Sequence, residues 1–149
     1  MGLKSITSHI AVAALAAVAA WVAASGQNAW MPSAARAQSP GQRTTELFNQ
    51  AMDDVLGRRL TVRLSERDAG TGSPAHRHPG SHTVGYILEG TYEVKIGDGP
   101  LRQLKAGEVF YEAPNALHAI SRNASNSAPV KYLVIQVSDP AKPATVVEK

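Results

Sequence analysis

The chain has 149 residues, a formal net charge of +3 and no cysteine. That length suits one domain, and the missing cysteines exclude a disulfide framework. Few aromatic residues and no cationic stripe argue against a nucleic-acid surface.

Residues 1–37 read as a secretory signal peptide. Lys4 supplies a basic start, residues 10–24 are unbroken apolar, and Ala35-Arg36-Ala37 places small residues before a cut at Gln38. A spanning helix needs about 20 apolar residues, whereas this run has 15 before Ser25. Cleavage after Ala37 is therefore favoured over an uncleaved anchor, with Val22-Ala23-Ala24 as an earlier alternative. The expected mature protein is periplasmic or secreted and free of the membrane. Losing Lys4 and Arg36 leaves 13 basic and 12 acidic side chains, a net +1 on 112 residues. Such a chain can bury a real core, and without disulfides it must be held by packing, with metal as an aid.

Residues 38–44 are polar and read as a flexible mature terminus, ahead of a single domain over 45–149 with its core at 60–137. Leu47, Phe48, Ala51, Met52 and Val55 fall at helical spacing, which predicts a short helix over 45–56; an irregular lead into a strand is the alternative. The period then changes. Leu60, Val62 and Leu64 alternate with Thr61, Arg63 and Ser65, the mark of a strand with one face buried. Strands are also expected at 83–88, 92–96, 101–104, 108–112, 119–122 and 130–137, with 145–147 able to pair at a sheet edge. Turn clusters separate them, such as Gly97-Asp98-Gly99-Pro100 and Lys105-Ala106-Gly107. About eight short strands with no helix between them predict an all-β sandwich or barrel.

Four of the five histidines lie in this domain: His76, His78 and His82 within seven residues, and His118 downstream. His76 and His78 are two apart, so on extended backbone they share a face. Imidazole is a common ligand for zinc, copper, iron and nickel. One such histidine is most often a partly exposed polar residue. Four of them, in two turn-flanked segments, point to a divalent transition metal (Fe, Cu, Zn, Mn or Ni) held by His76, His78, His118 and His82. Tyr86, Tyr92, Tyr111 and Glu112 are candidates to line a barrel, with packing as their default. Arg63 and Arg77 are candidates to hold an anionic substrate, with surface placement as theirs.

These two segments resemble the two motifs of the cupin superfamily, of the small single-domain kind. The first runs through His76-Arg77-His78 to Tyr86-Ile87-Leu88-Glu89-Gly90; the second runs from Gly107 through Asn115 and His118 to Asn123. The resemblance covers about residues 60–137 and implies a double-stranded β-helix, or jelly-roll, barrel and a homodimer with the terminal segments near Thr45 or Val146 at its interface. Departures are plain. Counting back from Gly90, the family's glutamate ligand falls on Thr83; counting forward from His78, it falls on His82. If Thr83 points inward, Gly85 and Ile87 share its face and His82 points elsewhere; if His82 turns in, the site has four histidines. Ala113 and Asn115 stand where Pro and Gly are usual, and Asn tolerates a left-handed backbone. Glu108 sits where cupins are commonly acidic, and a turn-stabilising role is expected of it.

A carboxylate-free site would leave the full charge on the ion and favour an anionic ligand. Two functions stay open. One is a metal-dependent enzyme of dioxygenase, isomerase or decarboxylase type acting on a small organic acid or phenolic compound. The other is a non-catalytic module that binds or senses a metal or small ligand. No residue stands out as an acid, base or nucleophile that would decide between them.

Overall fold

The structure is a computed structural model that describes residues 40–149. The expected signal peptide and its cleavage point lie outside the described residues. Eleven strands make up the described part, which contains no helix: β1 Gln42–Ala51, β2 Arg59–Arg67, β3 Gly72–Ser73, β4 His76–Arg77, β5 Ser81–Glu89, β6 Thr91–Ile96, β7 Arg102–Lys105, β8 Val109–Glu112, β9 Leu117–Asn123, β10 Val130–Ser138 and β11 Val146–Val147. They form two antiparallel sheets. One has the order β1-β2-β10-β5-β8; the other runs β11-β4-β9-β6-β7, with β3 added beside β9. This is the all-β jelly-roll implied by the two-motif resemblance, and the 145–147 segment does pair at a sheet edge, against β4.

The segment read as a helix is a strand. β1 pairs along the open edge of β2, and the register slips between Glu46 and Phe48. That bulge leaves Leu47 without a register partner and breaks the period of two, so the apolar positions on either side imitate helical spacing. Pairing with β2 satisfies the backbone through partners remote in sequence, which no local pattern reveals. Gln42–Thr44, expected in a flexible terminus, already belong to this strand. The buried Arg67 guanidinium donates to Gln42 Oε1 at 2.8 Å and to Ser73 Oγ at 2.7 Å, tying β1 to the barrel.

Alternation on β2, β5 and β10 is as expected, but the inward face is not the more apolar one throughout. On β2 the buried residues are Thr61, Ser65 and Arg67, while Leu60, Val62 and Leu64 are half-exposed on the outside. Registers carry this across the sheet: Thr61 lies opposite Gln136, Gln136 opposite Thr83, and Thr83 opposite Glu112. All four side chains are buried. The apolar core is built from Ile87, Tyr92, Val94, Leu104, Phe110, Val130 and Tyr132, and further buried polar side chains such as Arg67, Ser121 and Asn123 lie elsewhere in the barrel. Tyr92 stacks on Phe110 with ring centroids 5.6 Å apart. Burying polar groups is costly unless they are partnered, and within the row from Thr61 to Glu112, Gln136 donates to Thr83 Oγ1 at 3.0 Å.

Asn115 takes φ = 63°, the left-handed conformation expected where the second motif ordinarily has glycine. Asn115→Val is therefore expected to lower unfolding stability by about 1–2 kcal/mol, and Asn115→Gly to leave it nearly unchanged. Urea denaturation of the two variants checks this. Glu108 behaves as expected too, accepting a hydrogen bond from the Lys105 backbone N–H at 2.7 Å and so closing its turn.

Candidate metal centre

His76 and His118 are direct cross-strand partners on β4 and β9. Their ring centroids are 4.9 Å apart, and His78, just past β4, lies 5.0 Å from His76. The shared face predicted from their spacing in sequence is present, and the three rings gather at one place inside the barrel mouth. Two of them have their tautomers set. His76 Nδ1 lies 2.8 Å from the Pro74 carbonyl, and His78 Nδ1 lies 2.6 Å from the Ala144 carbonyl. A carbonyl only accepts, so each Nδ1 carries a proton, and in the neutral ring the lone pair then lies on Nε2. Such a backbone contact is the usual way an imidazole is oriented for a metal. Burial holds the His76 pKa below its ordinary value of 6.5, against the raising effect of the Pro74 carbonyl. At neutral pH this ring is uncharged, the form that can donate a lone pair.

The C-terminal tail completes the support. β11 pairs with β4, and the Glu148 backbone N–H donates to the Ala75 carbonyl at 2.9 Å. Arg77 donates to Glu148 Oε1 at 2.5 Å and to the Asn115 carbonyl at 2.9 Å. Arg77 therefore clamps the tail and the second motif's turn, with no role evident toward a substrate.

His82 does not join the other three. It is exposed on the outer face of β5, its Nδ1 2.7 Å from the Tyr111 hydroxyl, while Thr83 is 1% exposed and faces inward. Strand parity decides this: β5 runs without a bulge through its first residues, so Ser81, Thr83, Gly85 and Ile87 take the inner face and His82 takes the outer one. His82→Ala is expected to leave metal affinity within about twofold of the parent chain, measured by competition with a chelating dye. Tyr86 and Tyr111 also face outward, whereas Tyr92 is in the core.

The residue that local reading undervalued is Glu112. It ends β8, is 2% exposed, and reaches across from the opposite sheet. Its Oε1 lies 3.1 Å from His118 Nδ1, and its Oε2 lies 4.0 Å from His78 Nε2. A carboxylate thus stands beside the histidines, on a strand where the first motif does not look for it. The only hint in the sequence is a glutamate on the Val109–Glu112 strand at the same parity as Phe110, a core residue.

Three buried atoms and one further imidazole nitrogen bear on the fit of a metal. His118 Nδ1, His118 Nε2 and Glu112 Oε2 have no hydrogen-bond partner, and His76 Nε2 holds a free lone pair. Buried polar atoms are nearly always satisfied, so these unpartnered atoms are candidates to hold a bound group. Nitrogen and oxygen donors of this kind suit a divalent transition ion. Among the described residues, no group of three or more His, Cys, Asp or Glu is already arranged as a metal cage; the donors are gathered but not converged.

Beside Glu112 stands an ordered polar wall. Arg63 Nη2 donates to Gln136 Oε1 at 2.5 Å and to Thr61 Oγ1 at 3.2 Å, and Gln136 Nε2 donates to Thr83 Oγ1 at 3.0 Å. A recess of about 180 Å³ opens nearby, lined by Val94, Ile96, Gly99, Pro100, Arg102, Phe110 and Tyr111. It borders the histidines through Phe110, whose ring centroid is 5.6 Å from that of His118.

The sequence matches the cupin domain family over residues 63–136. No curated protein sequence matches the chain at a significant level. Solved structures do resemble it. A conserved protein with a double-stranded β-helix domain from Klebsiella pneumoniae is 17% identical with a TM-score of 0.59, the likeness covering 76% of this chain and 90% of that one. A protein from Thermus thermophilus is 27% identical with a TM-score of 0.56, covering 71% and 91%. The DMSP lyase DddQ from Ruegeria pomeroyi is 25% identical with a TM-score of 0.51, covering 59% and 42%. This chain therefore spans less than half the length of that lyase.

Proposed function

Residues 63–136 belong to the cupin domain family, and from that premise we propose that this is an exported cupin that binds a divalent transition metal through His76, His78 and His118. The observation that carries the reading is the set of buried, unpartnered donor atoms on His118 and Glu112, facing two imidazoles whose Nε2 lone pairs are free. Export rests on the leader-like composition of residues 1–37.

When bound there, the ion would supply Lewis acidity toward an oxygen of a small organic ligand. The chain's own residues do the rest. Pro74 and Ala144 hold two imidazoles in the tautomer that leaves Nε2 bare. Gln136, itself held by Arg63, fixes the Thr83 hydroxyl oxygen as an acceptor, so the Thr83 proton is left to donate into the barrel. Arg102 at the edge of the recess, with Val94, Ile96 and Phe110 as apolar walls, suits a small organic acid or phenolic compound. Catalysis of dioxygenase, isomerase or decarboxylase type fits that arrangement, and the likeness to DMSP lyase DddQ supports an enzymatic role in general.

The second reading is a module that holds a metal or small ligand without turning it over. One observation favours it: a recess of about 180 Å³ is below the roughly 300–1,000 Å³ of most small-molecule sites. Elemental analysis of the protein purified from its native compartment tests the shared core of both readings. About one equivalent of transition metal per chain is expected; metal-free protein that takes up none on dialysis against iron, copper, zinc, manganese and nickel would overturn it. A homodimer belongs to the same reading, supported by the half-exposed apolar outer face of the sheet at Val62, Leu64, Ile135 and Tyr86. Light scattering at micromolar concentration should give twice the chain mass.

A further inference from the structure

We propose that Glu112 is a direct ligand of the metal, the carboxylate of the site, delivered from β8 instead of from β5. This rests on the metal-binding reading above. The first-motif glutamate position falls on Thr83, which is buried and faces inward but carries no charge. Its Oγ1 is already engaged by Gln136. Thr83 and Glu112 are register partners on adjacent antiparallel strands, so their side chains project from the same face with Cβ atoms about 5 Å apart. A glutamate at 112 therefore sends its carboxylate into the space that a glutamate at 83 would have reached. The negative charge has moved one strand sideways while the scaffold has stayed the same.

A rival role is available to a carboxylate beside a histidine: it can accept a hydrogen bond from the ring nitrogen remote from the metal and merely orient the ring. The geometry argues against it. Glu112 Oε1 is close enough to His118 Nδ1 to be hydrogen-bonded, at 3.1 Å, yet that nitrogen has no hydrogen-bond partner because the carboxylate lies off its N–H direction. Two donors that each sit about 2.0–2.2 Å from one ion are themselves roughly 3–4 Å apart. The Glu112 contacts to His118 Nδ1 and to His78 Nε2, at 3.1 and 4.0 Å, span that interval. Glu112 Oε2 is also buried without a partner, and a carboxylate held only as an orienting group would leave that atom to be satisfied elsewhere.

The test uses Co²⁺ as probe with the full chain, its Glu112→Gln and Glu112→Ala variants, and a His118→Ala variant. Affinity is read by chelator competition and coordination by X-ray absorption and a crystal structure of the loaded protein. The parent chain should show a Glu112 oxygen about 2.0–2.2 Å from the ion. Both Glu112 variants should bind Co²⁺ on the order of a hundredfold more weakly, with one oxygen donor fewer. Removing an unsatisfied buried charge should also let metal-free Glu112→Gln melt no lower than the parent. Unchanged affinity in both Glu112 variants, or a loaded structure with the carboxylate on the His118 N–H and more than about 3 Å from the ion, would overturn the assignment while leaving the histidine site standing. Failure of the parent chain to bind Co²⁺ at all would overturn the site and the assignment together.

Discussion

A chain carrying both His76→Ala and His118→Ala is expected to lose transition-metal binding entirely, an affinity drop of more than about a thousandfold. Isothermal titration with Zn²⁺ or Co²⁺ against the parent chain reads it directly. The two rings are cross-strand partners, so their removal deletes two adjacent donors and leaves His78 with Glu112, too few to displace an ion's water shell. The same variant should keep its fold. Both ring nitrogens of His118 lack hydrogen-bond partners, so truncating that side chain breaks no hydrogen bond. Truncation of His76 releases one hydrogen bond, to Pro74, worth about 1 kcal/mol. The metal-free variant should melt below the metal-free parent by the cost of two lost buried rings, while metal protects only the parent. Tight metal binding by the folded double variant would remove the basis of the proposed function.

Gly85→Ala is expected to be the most damaging small substitution in the interior. Gly85 lies on the inner face of β5 opposite Phe110, and a Cβ there would overlap the Phe110 ring. The ring is held by its stack on Tyr92 and its contact with His118, and can yield only toward the recess it lines. Overpacking of this kind costs about 1–3 kcal/mol. Guanidinium denaturation of the metal-free protein should show that loss. Because the Phe110 ring also contacts His118, its displacement should lower metal affinity as well, although no donor has been changed. Phe110→Leu in the Gly85→Ala background should recover part of the stability. An unaltered unfolding midpoint for Gly85→Ala would show that the ring is not confined as described.

Several features of this molecule are written in local chemistry. Period-two alternation at 60–65 and 130–137, glycine and proline at the turns, and an asparagine able to adopt positive φ at 115 each depend on residues close in sequence, and each is found in place. The His-x-His pair shares a face because extended backbone alternates. Other features escaped for an identifiable cause. β1 looked helical because a bulge at Leu47 erased its alternation. Arg63 was expected at the surface, but β2 turns its polar face inward, and Arg63 ends on the wall of the site.

Strand periodicity, the turns, the two-motif frame and three of the histidines that meet are thus properties of the residue order alone. Three others emerge only when the sheets assemble: His82 faces solvent, Thr83 takes the inward seat, and Glu112 stands across from His118. The reason is that strand pairing joins residues with no fixed separation along the chain, and a shift of register by one residue turns a side chain from one face of the sheet to the other. The charge of this site is set by such a pairing, between Thr83 on β5 and Glu112 on β8.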